Sequence, residues 1–375
     1  MEKAKNRNSS IELLKFLAIL MIVFVHSYPD IPKGDVVSNV GAIEFGHTTS
    51  DIQMNVLVLL HNIGQMCNDI FIICSAWFLL DSKHVKASKI SNMIADCFGL
   101  SLIMLGIFTC LGYRFHGIYL LRQFMPTCFN NNWFIVCYML LYIIHPLLNR
   151  IIYQITQSEL LLYSVLFLII YCIISFVLPG GLFYYNEIVG FVGIYFVVAY
   201  FKLYLPNMMK SKSAGWKFIL VFGFIWLLLH FATVFVGVRY GVLSDELLGW
   251  EQFRNPCYIF IGIGVFMLFS NNNFYNPLIN NLASMSLIIY VIQCNRILRD
   301  YVRFDIFDYI YLNFSYEKLG LWILLYAVTT FILSFILGKV YLVSIGKLVR
   351  FIFNKITNIL IRIYNIVENY IVKIS

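Results

Sequence analysis

Charged side chains are scarce in this sequence. Only 12% of its 375 residues are Asp, Glu, Lys or Arg, whereas 61% are hydrophobic, and the mean hydropathy is +0.80. Water-soluble domains carry about a quarter of charged residues. So few charges cannot keep the surface of a chain of this length in water. The composition therefore excludes a soluble globular protein and predicts several segments embedded in lipid.

The sequence also lacks the cysteine patterns of redox and metal chemistry. None of its nine cysteines belongs to a CxxC pair, and no Cys/His cluster has the spacing of a zinc site. Most of the nine lie inside apolar runs, where packing is the usual role of a thiol. The chain contains no internal repeat and no low-complexity tract. We expect neither a metal site nor a bound cofactor.

Apolar runs separated by short polar segments fill most of the chain. A hydrocarbon core of about 30 Å needs roughly 20 apolar residues per helix, and ten runs reach or approach that length, although the fourth and eighth are short. They cover residues 11–28, 56–80, 93–113, 133–148, 160–178, 187–205, 216–236, 256–270, 282–298 and 319–345. We therefore predict an all-α, polytopic integral membrane protein with about ten transmembrane helices.

Basic residues mark one side of the predicted bundle. Lys and Arg precede the first run, follow the second and the last, and separate the sixth from the seventh, whereas the loops between residues 29 and 55 and around Glu246 are mainly acidic. Cytoplasmic loops carry the excess of Lys and Arg. The pattern predicts a multi-pass protein of the cell (cytoplasmic) membrane with both termini inside, although the loop after the ninth run mixes Arg299 with Asp300.

Two regions are expected. Residues 1–345 form the transmembrane domain, and residues 346–375 form a basic, amphipathic cytoplasmic tail. A helix of that kind lies flat on the membrane with its cations near anionic headgroups. Membrane lipids thus account for a pI of about 8.9, and a nucleic-acid partner is not needed.

The first run holds three ionisable side chains, Glu12, Lys15 and His26. Such residues are costly in lipid and indicate function. Lys15 and His26 are eleven positions apart, which on a helix gives nearly the same direction and a rise of about 16 Å. Glu12 lies one turn before Lys15 and can pair with it. These charges and the lack of a small-residue cleavage site also argue against a signal peptide. Alternatively, Lys15 reaches the headgroups and His26 is an interfacial residue.

Four segments resemble the membrane acyltransferase-3 family, in the order that the family has them. The first is the Lys15-x10-His26 helix with Glu12 before it, and the second runs from Asn68 to Leu79 and includes Phe71, Ser75 and Trp77. The third begins Asn132-Trp133-Phe134 and continues to Pro146 and Asn149, and the fourth runs from Ser284 through Tyr290 to Gln293. Two positions depart from the family pattern. Ala76 replaces a glycine, and Gln293 replaces a common histidine, so any role of that histidine is in doubt.

The resemblance implies transfer of an acetyl or other acyl group from acetyl-CoA to a hydroxyl of a glycan, such as an envelope or capsular polysaccharide, an exopolysaccharide or a lipid-linked saccharide. His26 is then the general base or carries the acyl group itself, and Lys15 with Glu12 completes the catalytic set. Basic residues at the inner face meet the phosphates of the donor.

Other polar or aromatic residues are candidates for binding the substrates or stabilising the oxyanion. They are Asp69, Arg122, Asn132, Trp133, Tyr290, Gln293, Asn295 and Arg296. Several have alternative roles: Asp69 can be a structural partner for a cation, Trp133 can belong to an interfacial aromatic belt, and Arg296, Arg299 and Arg303 can cap a helix and pair with Asp300.

The main alternative function is a polysaccharide or lipid-linked oligosaccharide transporter, which would share the many spans and the buried polar groups. Such transporters often have two related halves, and the sequence has no such duplication. A structural subunit without chemistry is disfavoured by the three ionisable residues of the first run.

Overall fold

The computed structural model describes residues 8–27, 31–33, 36–38, 52–129, 132–174, 186–240, 255–313 and 318–374. The described chain is almost entirely helical. The helices are α1 (Ser9–Val25), α2 (Ile52–Leu79), α3 (Ala87–Cys110), α4 (Ile118–Phe124), α5 (Trp133–Gln154), α6 (Gln157–Leu166) with its π-helical continuation π1 (Phe167–Ile174), α7 (Glu187–Tyr204), α8 (Pro206–Met209), α9 (Lys212–Tyr240), α10 (Pro256–Ser270), α11 (Pro277–Ala283), α12 (Ser286–Gln293), the π-helical π2 (Leu298–Val302), α13 (Arg303–Asn313), α14 (Leu319–Val343) and α15 (Gly346–Ile374).

A two-stranded hairpin is the exception among the described residues. Strands β1 (Ile31–Lys33) and β2 (Val36–Ser38) pair antiparallel, with Pro32 opposite Val37. Most of the predicted first external loop, residues 29–55, lies outside the described residues. The expected division at residue 345 and the orientation of the termini stay predictions.

Six helices of the described chain are long and apolar enough to cross a membrane. They are Ala87–Cys110, Trp133–Gln154, Gln157–Ile174, Glu187–Tyr204, Lys212–Ala232 and Leu319–Val343. A seventh span is possible as a pair of segments, Pro277–Gln293 and Leu298–Phe307, that are bent by 63° at their junction. The prediction of about ten spans is therefore not confirmed: α1 and α10 are short, with 17 and 15 residues, and α2 carries many polar side chains.

Helix α1 is anchored at its beginning. The Asn8 side chain caps the helix by accepting from the Ser10 amide, which satisfies one of the free N–H groups of the first turn. The Ser9 hydroxyl donates to Asn280 Oδ1 at 2.9 Å and accepts from the Asn276 amide at 2.7 Å. These bonds join the first turn of α1 to α11, 267 or more residues later in the chain.

Helix α1 lies at the centre of the bundle, packed against α2, α10, α11, α12 and α14. Its close approach to α2 depends on Gly64, because a Cβ atom there would overlap the Val25 side chain and lie 2.8 Å from the Met21 carbonyl oxygen. Small residues permit such approaches between membrane helices. The last turn of α1, which precedes His26, is thereby pressed between α2 and the bent α12–π2 segment.

Candidate functional site

One face of α1 carries the polar residues of the first predicted span. Lys15 Nζ lies 2.7 Å from Glu12 Oε1, so the predicted pair is formed. Lys15, Ile19 and Ile22 line the same cavity, and His26 is the next position of that i, i+4, i+7, i+11 row. The helical geometry thus directs Lys15 and His26 to one side of α1, about 16 Å apart along its axis.

The cavity beside this face has a volume of about 490 Å³. Its mouth consists of the exposed residues Ser88, Lys89 and Ser284, and its inner end consists of Phe134 and Tyr290, both buried. Between them the lining is mainly apolar, with the Ser75 hydroxyl on one side. We call this space the central cavity. It connects the surface near the basic loop after α2 with the centre of the bundle.

Cations cluster around the mouth of the central cavity. Lys89 donates to the Tyr138 hydroxyl at 2.8 Å, and its ammonium lies 4.2 Å from the centre of the Tyr142 ring. Arg350 of α15 also lines the cavity and forms two hydrogen bonds to Asp96. Together with Lys15, these side chains give the cavity three cations, of which Lys15 is paired with Glu12 and Arg350 with Asp96. The excess of positive charge is thus provided by Lys89, and it favours an anionic group there.

The His26 imidazole lies just beyond the inner end of the cavity. Its ring centre is 6.2 Å from that of Tyr290, in an edge-on arrangement. Nδ1 lies 2.8 Å from Gln293 Oε1, and since an amide oxygen only accepts, Nδ1 carries the proton in this contact. The Gln293 amide nitrogen donates to Cys294 Sγ at 3.1 Å. In the neutral ring, Nε2 therefore has the lone pair that a base or nucleophile needs.

Arg303 fixes the backbone of the same residue. Its Nη1 donates to the His26 carbonyl oxygen at 2.7 Å, and its side chain is buried. This carbonyl belongs to the end of α1, where helical acceptors lack partners and a cation is favourable. Gln293 and Arg303 thus restrain the ring and the main chain of His26, respectively.

A layer of amides continues from Gln293. Asn295 Nδ2 donates to Gln123 Oε1 at 3.0 Å, and both residues are buried. Gln123 Nε2 and Asn132 Oδ1 have no hydrogen-bond partner among the described residues. Buried amide groups of this kind are usually satisfied, so Gln123 offers a donor to a polar ligand in this layer, and Asn132 offers an acceptor at the beginning of α5. The neighbouring Arg122 guanidinium lies 5.8 Å from the Tyr119 ring centre.

The structure brings most of the predicted site residues together. Lys15 and Tyr290 line the central cavity, Gln293 contacts His26, and Asn295 belongs to the amide layer. Trp133 does not line the central cavity but packs edge-on against Phe134, which does, with the two ring centres 5.6 Å apart.

Two predicted site residues lie elsewhere. Asp69 is fully buried but does not line the central cavity, and neither of its carboxylate oxygens has a hydrogen-bond partner among the described residues. The guanidinium groups of Arg296 and Arg299 each lie 3.6 Å from the Asp300 carboxylate. Both arginines thus make the ion pair with Asp300 that was the alternative to substrate binding. The roles of all these residues stay predictions.

Several residues of the site were missed from the sequence. Gln123 lies in the seven-residue helix α4, outside every apolar run. In the sequence, Lys89 and Arg350 only marked the basic side of the bundle, and Asp96 was not considered. The only signal was Asp96, an acidic residue inside a predicted span. Among the described residues, no three His, Cys, Asp or Glu side chains are grouped so that they could hold a metal ion.

The fold and the site define a polytopic membrane protein in which a basic-mouthed cavity leads to a restrained histidine. Comparison with family models identifies the class: residues 8–339 match the model of acyltransferase family 3, described as an acyltransferase domain. The chain belongs to this family, which makes it a membrane acyltransferase. No curated protein and no solved structure gave a match.

Proposed function

We propose that the protein transfers an acetyl group from acetyl-CoA to a hydroxyl of a cell-envelope, capsular or exopolysaccharide glycan, or of a lipid-linked saccharide. The observation that carries this proposal is the central cavity, which runs from three cations at its mouth to Tyr290, beside His26. The proposed donor is cytoplasmic and the proposed acceptor belongs to the envelope, so this reaction needs a passage from one face of the bundle to the histidine.

The mouth fits the polyanionic end of acetyl-CoA. Lys89, which contacts tyrosines rather than a carboxylate, would meet a phosphate oxygen through a charge-assisted hydrogen bond, and Lys15 and Arg350 add positive charge beside it while they stay paired with Glu12 and Asp96. A volume of about 490 Å³ suits the slender acyl-bearing arm of the donor, whereas the nucleotide portion remains at the surface. The apolar lining around Ile19 and Ile22 excludes water from the thioester. Acetyl-CoA is a substrate here, and no resident cofactor is proposed.

His26 supplies the chemistry at the inner end. In one route, Nε2 accepts the proton of the acceptor hydroxyl while the hydroxyl oxygen attacks the thioester carbonyl carbon, and the coenzyme leaves as its thiolate and is then protonated. In the other route, Nε2 attacks the thioester carbonyl carbon first, the coenzyme leaves as its thiolate, and the acetyl group stays on Nε2 as an acyl-imidazole. The acceptor hydroxyl oxygen then attacks this acetyl group, the bond to Nε2 breaks, and the hydroxyl proton passes to the thiolate. Both routes use the same nitrogen, because Nδ1 is occupied by Gln293.

The acceptor hydroxyl approaches through the amide layer. Gln123 and Asn295 are buried and joined by a hydrogen bond, and Asn295 lies two residues beyond Gln293, which contacts His26 at the end of α1 opposite Lys15. Amides of this kind hydrogen-bond sugar hydroxyls in either direction. In the orientation that the basic loops predict, the end of α1 that carries His26 lies on the side of the cell membrane away from the cytoplasm. The donor would then arrive from inside and the acceptor from outside.

Labelled acetyl-CoA tests the proposal directly. We expect membranes or cells with the wild-type protein to incorporate the label into envelope or capsular glycan, and His26→Ala to abolish incorporation at equal membrane levels. Lys15→Ala should raise the KM for the donor. His84→Ala, which changes an exposed histidine of the loop after α2, is the matched control and should keep full activity.

Two results would contradict the proposal. Incorporation by His26→Ala at the wild-type rate would remove His26 from the mechanism. If no variant labels any glycan while glycan export depends on the protein, the transporter function replaces the proposed one.

A further inference from the structure

Helix α15 begins after the family match ends at residue 339, yet it contributes to the central cavity. Its first half packs along α3. Phe353 packs against Phe98 with ring centres 5.4 Å apart, and Asn354 Nδ2 donates to Asn92 Oδ1 at 2.9 Å. The C-terminal helix is therefore docked against the beginning of α3.

An ion pair at the cavity mouth holds this docked half. The Arg350 guanidinium donates to both carboxylate oxygens of Asp96, at 2.8 and 2.7 Å, and the Tyr341 hydroxyl donates to the same carboxylate at 3.1 Å. Asp96 is 2% exposed at its side chain. A bidentate hydrogen-bonded ion pair between Arg and a carboxylate is directional and stronger than a single neutral hydrogen bond. Because Asn92, Asp96 and Arg350 all line the central cavity, the position of α15 determines the shape of its mouth.

The strongly apolar face of α15 is not the face that docks on α3. A row of large aliphatic side chains at helical spacing is 46–68% exposed. On ordinary protein surfaces, exposed hydrophobic residues are scattered singly rather than arranged in such a row. Its members are Leu348, Ile352, Ile356, Ile359, Ile363 and Ile366. The contacts with α3 instead use Arg350, Phe353 and Asn354, which lie beside this row.

Charge identifies the occupant of the exposed row. Helix α15 contains five Lys or Arg residues and one acidic residue, and Lys347, Lys355 and Arg362 are exposed. An apolar row flanked by cations matches the boundary between acyl chains and anionic headgroups. A second copy of the chain would instead bring like charges together. The helix is also attached to α3, which itself enters the membrane.

We propose that the exposed face of α15 binds an anionic lipid surface and that this binding keeps Arg350 on Asp96, so that the lipid sets the shape of the cavity mouth. Without anionic lipid, the distal half of α15 loses its partner, the helix separates from α3 more often, and the central cavity opens wider. This inference does not depend on which acyl donor or acceptor the protein uses.

The test uses full-length protein in nanodiscs of phosphatidylcholine alone or of a two-to-one mixture with phosphatidylglycerol. Cys110→Ser and Cys128→Ser remove the two exposed thiols, and Ser75→Cys places a reporter inside the central cavity. Alkylation of the reporter by a neutral, water-soluble maleimide measures access to the cavity. Hydrogen exchange of the amides of residues 355–367 measures the docking of α15.

We expect slower alkylation and slower exchange in the anionic nanodiscs. Lys355→Gln with Arg362→Gln should weaken the docking equilibrium by about 30-fold, because each cation near an anionic surface contributes roughly fivefold. The matched control, Lys210→Gln with Lys217→Gln, removes two exposed cations near the start of α9 and should keep the lipid dependence. Arg350→Met should make alkylation fast in both lipids while exchange of α15 stays lipid-dependent.

Identical alkylation and exchange in the two lipids would overturn the proposal. Protection of α15 that is equally strong in pure phosphatidylcholine, together with a cross-linked dimer through α15, would assign the face to a second copy. Lipid-dependent exchange with lipid-independent alkylation would refute the link between α15 and the cavity.

Discussion

The contact between Gln293 and His26 gives the sharpest test of the site. Gln293 Oε1 lies 2.8 Å from His26 Nδ1 and is buried at the end of α12, yet it does not line the central cavity. Gln293→Leu keeps the approximate size and removes the acceptor. The Nδ1–H group is then left without this partner, and the neutral ring can place its proton on either nitrogen.

The expected decrease in kcat follows from the free-energy cost of a buried N–H group without an acceptor. Leaving a buried donor unsatisfied costs about 1–3 kcal/mol, and if that cost falls on the reactive orientation of the ring, kcat drops by about 5- to 150-fold. The KM for the donor should change little, because Gln293 is outside the cavity that would hold it. A residue that merely supported the fold would lower the amount of protein rather than kcat.

The assay is steady-state acetyl transfer from labelled acetyl-CoA in membranes, with the protein level measured for each variant. Gln154→Leu makes the same chemical change at an exposed position at the end of α5 and should leave kcat unaltered. A wild-type kcat for Gln293→Leu would refute the idea that this amide orients the catalytic imidazole. A rise in KM with unchanged kcat would instead place Gln293 among the donor contacts.

Two further substitutions test the helix packing and Asp69. Gly64→Leu should separate α1 from α2, at a cost of about 1–3 kcal/mol for overpacking, and should abolish transfer. Gly106→Leu is the control and should be tolerated, because an added Cβ there meets nothing within 4 Å. Equal activity and equal thermal unfolding of the two variants would refute the close contact between α1 and α2. Asp69→Asn replaces a buried carboxyl group that lacks a hydrogen-bond partner among the described residues by an amide that cannot ionise. Because an ionisable group is costly to keep away from water, the unfolding midpoint should rise by about 2–4 °C per kcal/mol gained with transfer unchanged. A loss of transfer would return Asp69 to the substrate site.

Features that depend on the geometry of one helix were predictable from the sequence. The Glu12–Lys15 pair and the common direction of Lys15 and His26 follow from 3.6 residues per turn. The similarity of the first helix to a known family then pointed to the correct family, which the match over residues 8–339 confirms. Local periodicity needs no knowledge of the neighbouring helices.

Features that depend on packing between distant segments were not predictable. Arg350 and Asp96 are 254 positions apart, and nothing in either local sequence names the partner. The amide pair of Gln123 and Asn295 is of the same kind, with 172 positions between its members. The predicted number of about ten spans is not confirmed, because apolar runs of 15–18 residues do not show whether a helix crosses the membrane or is enclosed by protein.

The bend between α12 and π2 has a mechanical consequence for His26. The second arm is bent by 63° from the direction of the first. Each arm contacts a different part of His26, because Gln293 on the first arm contacts the ring and Arg303 on the second arm binds the carbonyl oxygen. Arg303 is five residues beyond the start of the second arm, roughly 7 Å at the helical rise. A change of about 10° in the bend would therefore displace its backbone by about 1 Å, a misplacement that can cost a catalytic group on the order of 100-fold in rate. The angle of this broken helix therefore determines how the imidazole and the carbonyl group of His26 lie relative to each other, and a change in the angle shifts one with respect to the other.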